Sequence, residues 1–558
     1  MAKRLAITIA GAVSLGSYEA GVLYELMRAI RTNNEAAQTE DQRIYVDVIT
    51  GASAGGMTAA MVSQRLMYDA DALEGETSNV LYRAWVERIS LMRLVRMRWK
   101  EKKWHSLFSS DLINSIGQEM LVKSMQEPGS GPHEAVERID GVPQPLRVGL
   151  ALTNLNGIDY MIPIVGNDDG GFNYTNSVDQ MTFKVTVHGQ GDTAQWERMR
   201  DAAVGSGAFP LAFRPKAVDR QADEYGERLP DDKSLQLEGR SYVVWAGQPA
   251  AEFAFSDGGV LQNQPLGIAK DLVESAIDER KTRRDASAFN DARDRLYVFV
   301  APHAVRSTAR DLRAEKITIW GELKQLARVY MRQAMFHDWI IAEGVNQRIR
   351  LLDTRASQLA ELMVRGYLDV GSLLRASSDL NSALMPNQDQ DRLTRLREQY
   401  KVEYKKVHDA ADLQAAEAFV SALATLEAAA HLEERDKMKI VAVTADERKE
   451  LAGSGLAAFV GFFNRSFREH DYWVGRKKTR EYLQRKDVKS ILGVAKWPEE
   501  ESEWNKAFPN PTTVTLPLGV FQVFRSAVIP AIIMVLIRPT LILFASLITA
   551  GIWYVLHR

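Results

Sequence analysis

An α/β sandwich, followed by a helical region and an apolar C-terminal tail, is the architecture this sequence predicts, and three observations carry it. Short apolar runs alternate with helical stretches over residues 1–305, the pattern of a sheet covered by helices. From residue 306 strand signals nearly vanish, and Ala-, Leu- and Arg-rich segments such as Leu413–Arg435 take over. Beyond Ser526 charged residues all but disappear. The expected organisation is therefore an α/β domain over 1–305, a helical domain over 306–510 and a hydrophobic, membrane-associated tail over 511–558.

The first apolar run, Leu5–Ala10, follows Lys3 and Arg4. It is too short for the core of a secretory signal, and Glu19 and Glu25 follow soon after, so it reads as a buried strand. The chain is expected to stay in the compartment where it is made. Further strands are predicted at Ile44–Thr50, Leu146–Thr153, Met181–His188, Glu252–Ser256 and Leu296–Ala301. Several are nearly continuous apolar runs, which suits a mostly parallel or mixed sheet covered on both faces. Helical stretches lie near 17–31, 54–66, 195–207 and 264–279. Two polar stretches, Gln126–Gly141 and Asp219–Gly239, read as surface insertions. Lys506–Thr515, with Pro509 and Pro511, reads as a linker.

In the tail, Ser526–Ile537 and Thr540–Leu556 are uncharged and are separated by Arg538-Pro539. As a helix the second segment is about 26 Å long at ~1.5 Å per residue, close to a bilayer core of about 30 Å. Arg538 and Arg558 would flank it and reach the two interfaces. The first segment then lies at the interface, because a single helix over both would bury Arg538 mid-membrane. The rival reading is a buried hairpin or an oligomer contact.

Composition excludes several classes. Charged residues are 25% and hydrophobic ones 46% of 558, an ordinary globular mixture. Lys and Arg number 70 against 72 Asp and Glu, which argues against a nucleic-acid partner. There is no cysteine, hence no disulfide, thiolate metal site or cysteine nucleophile.

Three motifs carry chemistry. Gly51-Ala52-Ser53-Ala54-Gly55 follows a strand and opens a helix, the setting in which G-x-S-x-G exposes a nucleophilic serine on a tight elbow. The rival reading is a strand–helix crossing that merely needs small residues. Of the histidines, His303 after Leu296–Ala301 is the one placed to complete a triad. Asp257-Gly258-Gly259 closes the strand Phe253–Ser256 and offers a carboxylate as the base instead, or only a turn aspartate bonded to its own backbone. Ala10-Gly11-Ala12-Val13-Ser14-Leu15-Gly16 follows the first strand, where backbone N–H groups can stabilise an oxyanion. It lacks both G-x-G-x-x-G and the P-loop Gly-Lys-Ser/Thr ending. No EF-hand or zinc pattern is present, and no metal or cofactor is expected.

Together and in this order the motifs resemble the patatin-like phospholipases, over roughly residues 4–305. The resemblance implies a three-layer α/β/α sandwich and a Ser-Asp dyad. Ser53 is then the nucleophile and Asp257 the base. Gly11, Ala12 and Val13 supply the oxyanion donors, while Gly51, Gly55 and Gly258 are the elbow and turn glycines. Ala203–Pro210 with Phe213, and Asn263 with Pro265, fit the same pattern, and Arg465–Gly475 is similar to a late segment of larger bacterial patatin-related proteins. One departure stands out. The family pattern G-G-G-x-[KR]-G reads Gly11-Ala12-Val13-Ser14-Leu15-Gly16 here, so any positive φ in this loop would be strained.

The expected function is a serine hydrolase of phospholipid or lysophospholipid esters that needs no cofactor. Its partners are phospholipid and membrane, with its catalytic domain on the cytoplasmic side. A homo-oligomer through the helical domain or the tail is compatible with this. Two alternatives are a membrane-bound, lipid-binding scaffold with weak or no turnover, and an esterase or thioesterase on smaller acyl esters. Two basic runs, Arg83–His105 with Trp85, Trp99 and Trp104, and Arg476–Lys489, read either as lipid-facing surfaces or as helices with solvated basic faces.

Overall fold

The computed structural model describes residues 2–98, 106–127, 129–163, 171–187, 193–221, 224, 241–243, 250–282, 295–303, 319–384, 390–430, 432, 438–447, 450–454, 458–494 and 496. These fall into two compact units. One takes the described residues within 2–273, 296–336 and 440–496, and the other those within 274–295 and 337–439.

The first unit is built on a nine-stranded mixed sheet. Its strands are β1 (Lys3–Ile9), β2 (Ile44–Gly51), β3 (Leu146–Pro163), β4 (Gly171–Val185), β5 (Lys216–Gln221), β6 (Ser241–Val243), β7 (Ala250–Asp257), β8 (Leu296–His303) and β9 (Lys439–Ala445). The order is β9-β8-β1-β2-β3-β7-β5, with β4 and β6 also paired to β3. The strands β8, β1, β2 and β3 run parallel where they pair, while β4, β6 and β7 run antiparallel to β3. Alternation along β3 sends Val148, Leu150 and Leu152 into the main core, and Ala151 into a separate cluster with Ala52, Ile268 and Leu272. Successive strand residues face opposite sides, so helices cover both faces. The main core takes helices α1 (Gly16–Ala36), α2 (Ala54–Tyr68) and α3 (Thr193–Ser206), and the smaller cluster takes α4 (Leu266–Thr282).

The stretch expected as a helical domain, 306–510, is divided between the two units. Residues from Ile440 return to the α/β unit: β9 adds an edge strand beside β8, and a further helix, Arg465–Gln484, lies along α1. The crossing is close because glycines meet. A Cβ on Gly21 would run into the carbonyl of Tyr472, and one on Gly475 into that of Tyr18. A buried ion pair holds the same contact. Arg476 bonds Glu25 at 3.0 Å and Glu76 at 2.8 Å, and its guanidinium lies 4.4 Å from the Trp473 ring centre. Part of the second basic run is thus interior: Arg476, Thr479, Tyr482 and Leu483 are all buried. Sequence patterning missed β9 because seven residues, KIVAVTA, stand alone amid charged helical sequence.

The second unit is helical. The long helix α5 (Ile319–Val364) contributes a stripe of Val345, Ile349, Leu352, Ala356, Ala360 and Met363, with the three- and four-residue spacing of one helix face. That stripe packs with Leu396, Tyr400, Phe419 and Leu423. Inside the unit Glu427 accepts from Arg392 at 2.7 Å and from Arg395 at 2.6 Å. Among the described residues no helix is long and apolar enough to cross a membrane. The predicted tail, 511–558, lies outside the described residues.

Candidate active site

The register of β3 brings two strand ends together. The last residue of β2, Gly51, pairs with Leu150. Asp257, the last of β7, pairs with Leu152 on the same strand. β2 runs parallel to β3 and β7 antiparallel, so the two strands point at each other along one edge of β3. Whatever follows Gly51 must turn sharply beside Asp257.

That turn carries Ser53 at φ 55° and ψ −127°. A non-glycine residue there costs of the order of 1–3 kcal/mol and is held only by a surrounding that over-determines it. The surrounding is tight backbone packing that only glycines allow: Gly51 lies against the carbonyl of Gly55, and Gly55 against those of Ile9 and Ala10. The Ser53 N–H donates to Ser206 Oγ at 2.9 Å, and its carbonyl accepts from the Gly56 N–H at 3.0 Å. Ser206, at the end of α3, is completely buried. The motif containing it, Ala203–Pro210, stands out in the sequence, but the hydroxyl's job becomes visible only in three dimensions.

Ser53 Oγ donates to Asp257 Oδ2 at 2.6 Å. The other carboxylate oxygen accepts the Gly259 N–H at 2.7 Å. Around the carboxylate the backbone is clamped: the Asp257 N–H donates to Ala208 O at 3.0 Å, and Thr153 Oγ1 donates to Asp257 O at 2.8 Å. Gly258 sits against the Ala151 carbonyl, leaving no room for a side chain. Burial raises the Asp257 carboxyl from an ordinary 3.8 to about 7, opposed by the bonds from Ser53 and Gly259. A carboxylate titrating near neutrality beside a serine hydroxyl can take that hydroxyl's proton. Among the described residues the partner of the hydroxyl is this aspartate and not a histidine; His303 ends β8.

The loop after β1 forms the third side. A Cβ on Gly11 would lie 3.0 Å from Ser53 Cβ and 2.5 Å from Asn263 Nδ2, so this loop passes directly beside the serine. The Gly11 N–H, however, donates to the carbonyl of Asn263 at 3.1 Å. Of the three residues that the resemblance assigns to the oxyanion site, Gly11 provides close approach while its amide is engaged by Asn263. Val13 takes φ 54°, the conformation that a glycine would adopt without strain and that a β-branched residue adopts at a cost.

With this geometry, the comparisons with known proteins become specific. Residues 7–270 match the model of the patatin-like phospholipase family. They form a patatin-like domain. Its matched span contains Ser53, Asp257 and the loop at 11–16, whereas β9 and Arg465–Gln484 lie beyond it. The family's general activity is lipid acyl hydrolysis. The chain is also 23% identical over 371 residues to "Uncharacterized protein y4iI" of Sinorhizobium fredii (strain NBRC 101917 / NGR234), an alignment covering 53% of this chain and 49% of that protein. The chain thus spans about half the length of that relative.

The basic aromatic stretch near the patatin-like elbow is largely structural where it is described. Trp85, Leu91 and Leu94 are buried, and Trp85 Nε1 donates to Thr58 Oγ1 at 3.0 Å. Arg88 forms a two-pronged bond with Glu119, at 2.6 and 2.8 Å. Trp99 and Trp104 lie outside the described residues. Among the described residues no group of three or more His, Asp or Glu could hold a metal ion.

Proposed function

We propose that this chain is a serine acyl hydrolase that cleaves ester bonds of phospholipids or lysophospholipids. One observation carries the reading: the buried 2.6 Å hydrogen bond from Ser53 Oγ to an Asp257 carboxylate raised to about 7. In the first step Oγ bonds to the acyl carbonyl carbon while its proton passes to Asp257 Oδ2. The carbonyl oxygen becomes an oxyanion, and the N–H groups of Ala12 and Val13 are the donors for it. The tetrahedral species collapses, the carbon–oxygen bond to the glycerol side breaks, and Asp257 returns the proton to the departing alkoxide. Water then attacks the acyl-serine, with Asp257 again taking a proton, and the fatty acid leaves as Ser53 is restored. The apolar segment 511–558 anchors the protein at the membrane, with the hydrolase on the cytoplasmic side. A lipid-binding scaffold with weak turnover is the second reading, and the positive φ of Val13 favours it.

The test is fluorophosphonate labelling of the full chain in detergent, beside fatty-acid release from mixed phospholipid vesicles, for wild type, Ser53→Ala and Asp257→Asn. Labelling and release in wild type, absent from Ser53→Ala and at least ~10³-fold slower in Asp257→Asn, are the expected results. A folded wild type that binds vesicles but neither labels nor releases fatty acid would leave the scaffold reading in place.

A further inference from the structure

The loop that supplies the oxyanion donors is gripped from outside the patatin-like domain. Ser14 is completely buried, and its hydroxyl donates to the carbonyl of Ala458, 444 residues further along the chain. Gly461 closes on the same side chain: a Cβ there would lie 2.5 Å from Ser14 Oγ and 3.0 Å from Ser14 Cβ. The neighbouring Leu15 is buried too, and a Cβ on Gly453 would lie 3.1 Å from its Cδ2. The residues doing the gripping are themselves pinned. Asp471 accepts the N–H of Ala452 at 2.7 Å and that of Gly453 at 2.9 Å. Phe459, next to Ala458, meets the Phe209 ring edge-on at 5.4 Å between centres. Phe209 follows Ala208, whose carbonyl accepts the Asp257 N–H. One late segment therefore touches both the oxyanion loop and the ring of Phe209, the residue after the carbonyl that fixes Asp257.

Strain gives this contact a purpose. Val13 has φ 54° and Ala458 φ 69°, and the single residue Ser14 joins them. A β-branched residue in this region costs of the order of 1–3 kcal/mol and reverts unless its neighbours hold it. Leu15 stands where the family pattern has a basic residue, and it presents an apolar side chain to Gly453.

We infer that residues 452–454 and 458–463 hold the oxyanion loop in its strained conformation, with Ser14 as the positioning residue. This rests on the hydrolase reading above. Ser14 touches no reacting atom; it acts by fixing the direction of the Val13 N–H. A shift of the order of 1 Å at such a donor costs up to about 10²-fold in rate.

The experiment compares kcat and KM on a soluble phospholipid analogue, fluorophosphonate labelling rate and Tm for wild type, Ser14→Ala, Gly461→Ala, Val13→Gly and Val13→Gly/Ser14→Ala, all as full chain in detergent. Ser14→Ala and Gly461→Ala are expected to lower kcat and labelling rate by about 10- to 100-fold with KM within about twofold. Val13→Gly removes the strain, so in that background Ser14→Ala is expected to cost less than about threefold, whatever its Tm. A merely structural hydroxyl would give the same loss in both backgrounds, and that result overturns the proposal. So does a Ser14→Ala enzyme that turns over like wild type. A wild type that does not label at all overturns the hydrolase reading and this one with it, an outcome distinct from the other two.

Discussion

Asp257 and Asp471 lie in the same α/β unit, and both are buried carboxylates that accept backbone N–H bonds. Both are at most 1% exposed. Burial raises both, to about 7 and about 8, and backbone N–H bonds oppose the shift in each case. Asp257 gives one oxygen to Gly259 and the other to the Ser53 hydroxyl. Asp471 gives its two oxygens to Ala452 and Gly453. A perturbed carboxylate is therefore not enough to mark a reaction centre. What separates the two is a hydroxyl held at 2.6 Å on a strained elbow.

The largest consequence is in turnover. Asparagine suits position 257 sterically, since its Oδ1 can accept from Gly259 and its Nδ2 can donate to Ser53 Oγ. The geometry survives and the base is lost, so kcat/KM is expected to fall by at least ~10³-fold. At position 471 the same substitution turns an NH₂ toward a backbone N–H. Turnover is expected to fall less than about tenfold there, through loosening of residues 452–453 against Leu15. The acid limb of kcat/KM is expected near pH 7 and unmoved by Asp471→Asn, because Asp257 must lose its proton to act as a base. A pH–rate profile on small esters checks both statements. Equal losses at the two positions would erase the distinction drawn here.

Next in size is stability against pH. The folded carboxyl of Asp257 titrates near 7 and the unfolded one near 3.8. Between these values the folded state holds the extra proton, so the contribution of Asp257 is fully present below about pH 4 and is lost as pH rises through 7. The shift corresponds to about 4 kcal/mol. Asp257→Asn carries no such charge. Its stability relative to wild type is therefore expected to rise between pH 4 and pH 8, as read by urea midpoints at fixed m-value. A flat difference across that range would mean the carboxylate is hydrated.

These two aspartates also show what the sequence makes legible. Asp257 could be read because its chemistry is local: a strand, an aspartate and two glycines in succession, preceded by G-x-S-x-G at the other strand end. Apolar patterning found six of the nine described strands of the sheet, several as nearly continuous runs and others, such as Met181–His188, by alternation. Three things stayed hidden. β5 (KAVDRQ) and β9 are edge strands, where pairing and not hydrophobicity defines the element. The return of 440–494 to the α/β unit depends on Gly21 meeting Tyr472 across some 450 residues of chain. And the Gly11 amide looked free until Asn263 supplied its acceptor. Each is a long-range pairing, for which one strand of sequence holds only half of the information.

The smallest effect concerns the residue that accepts the N–H of the elbow serine. Ser206 Oγ accepts the Ser53 N–H at 2.9 Å inside a fully buried site. Alanine there strands one buried backbone donor, a loss of about 1–3 kcal/mol in stability. The elbow is still bounded by Gly51 and Gly55, and Ser53 Oγ still has Asp257. Ser206→Ala is therefore expected to label with fluorophosphonate at a rate within about tenfold of wild type, while its Tm falls. Threonine at 206 keeps the oxygen but brings a methyl toward Gly56, whose α-carbon already faces Ser206 so closely that a Cβ would lie 2.7 Å from its Oγ. If Ser206→Ala instead loses labelling as completely as Ser53→Ala, the positive φ at Ser53 is held chiefly by this one bond, and the elbow's strain is as much a property of α3 as of the glycines.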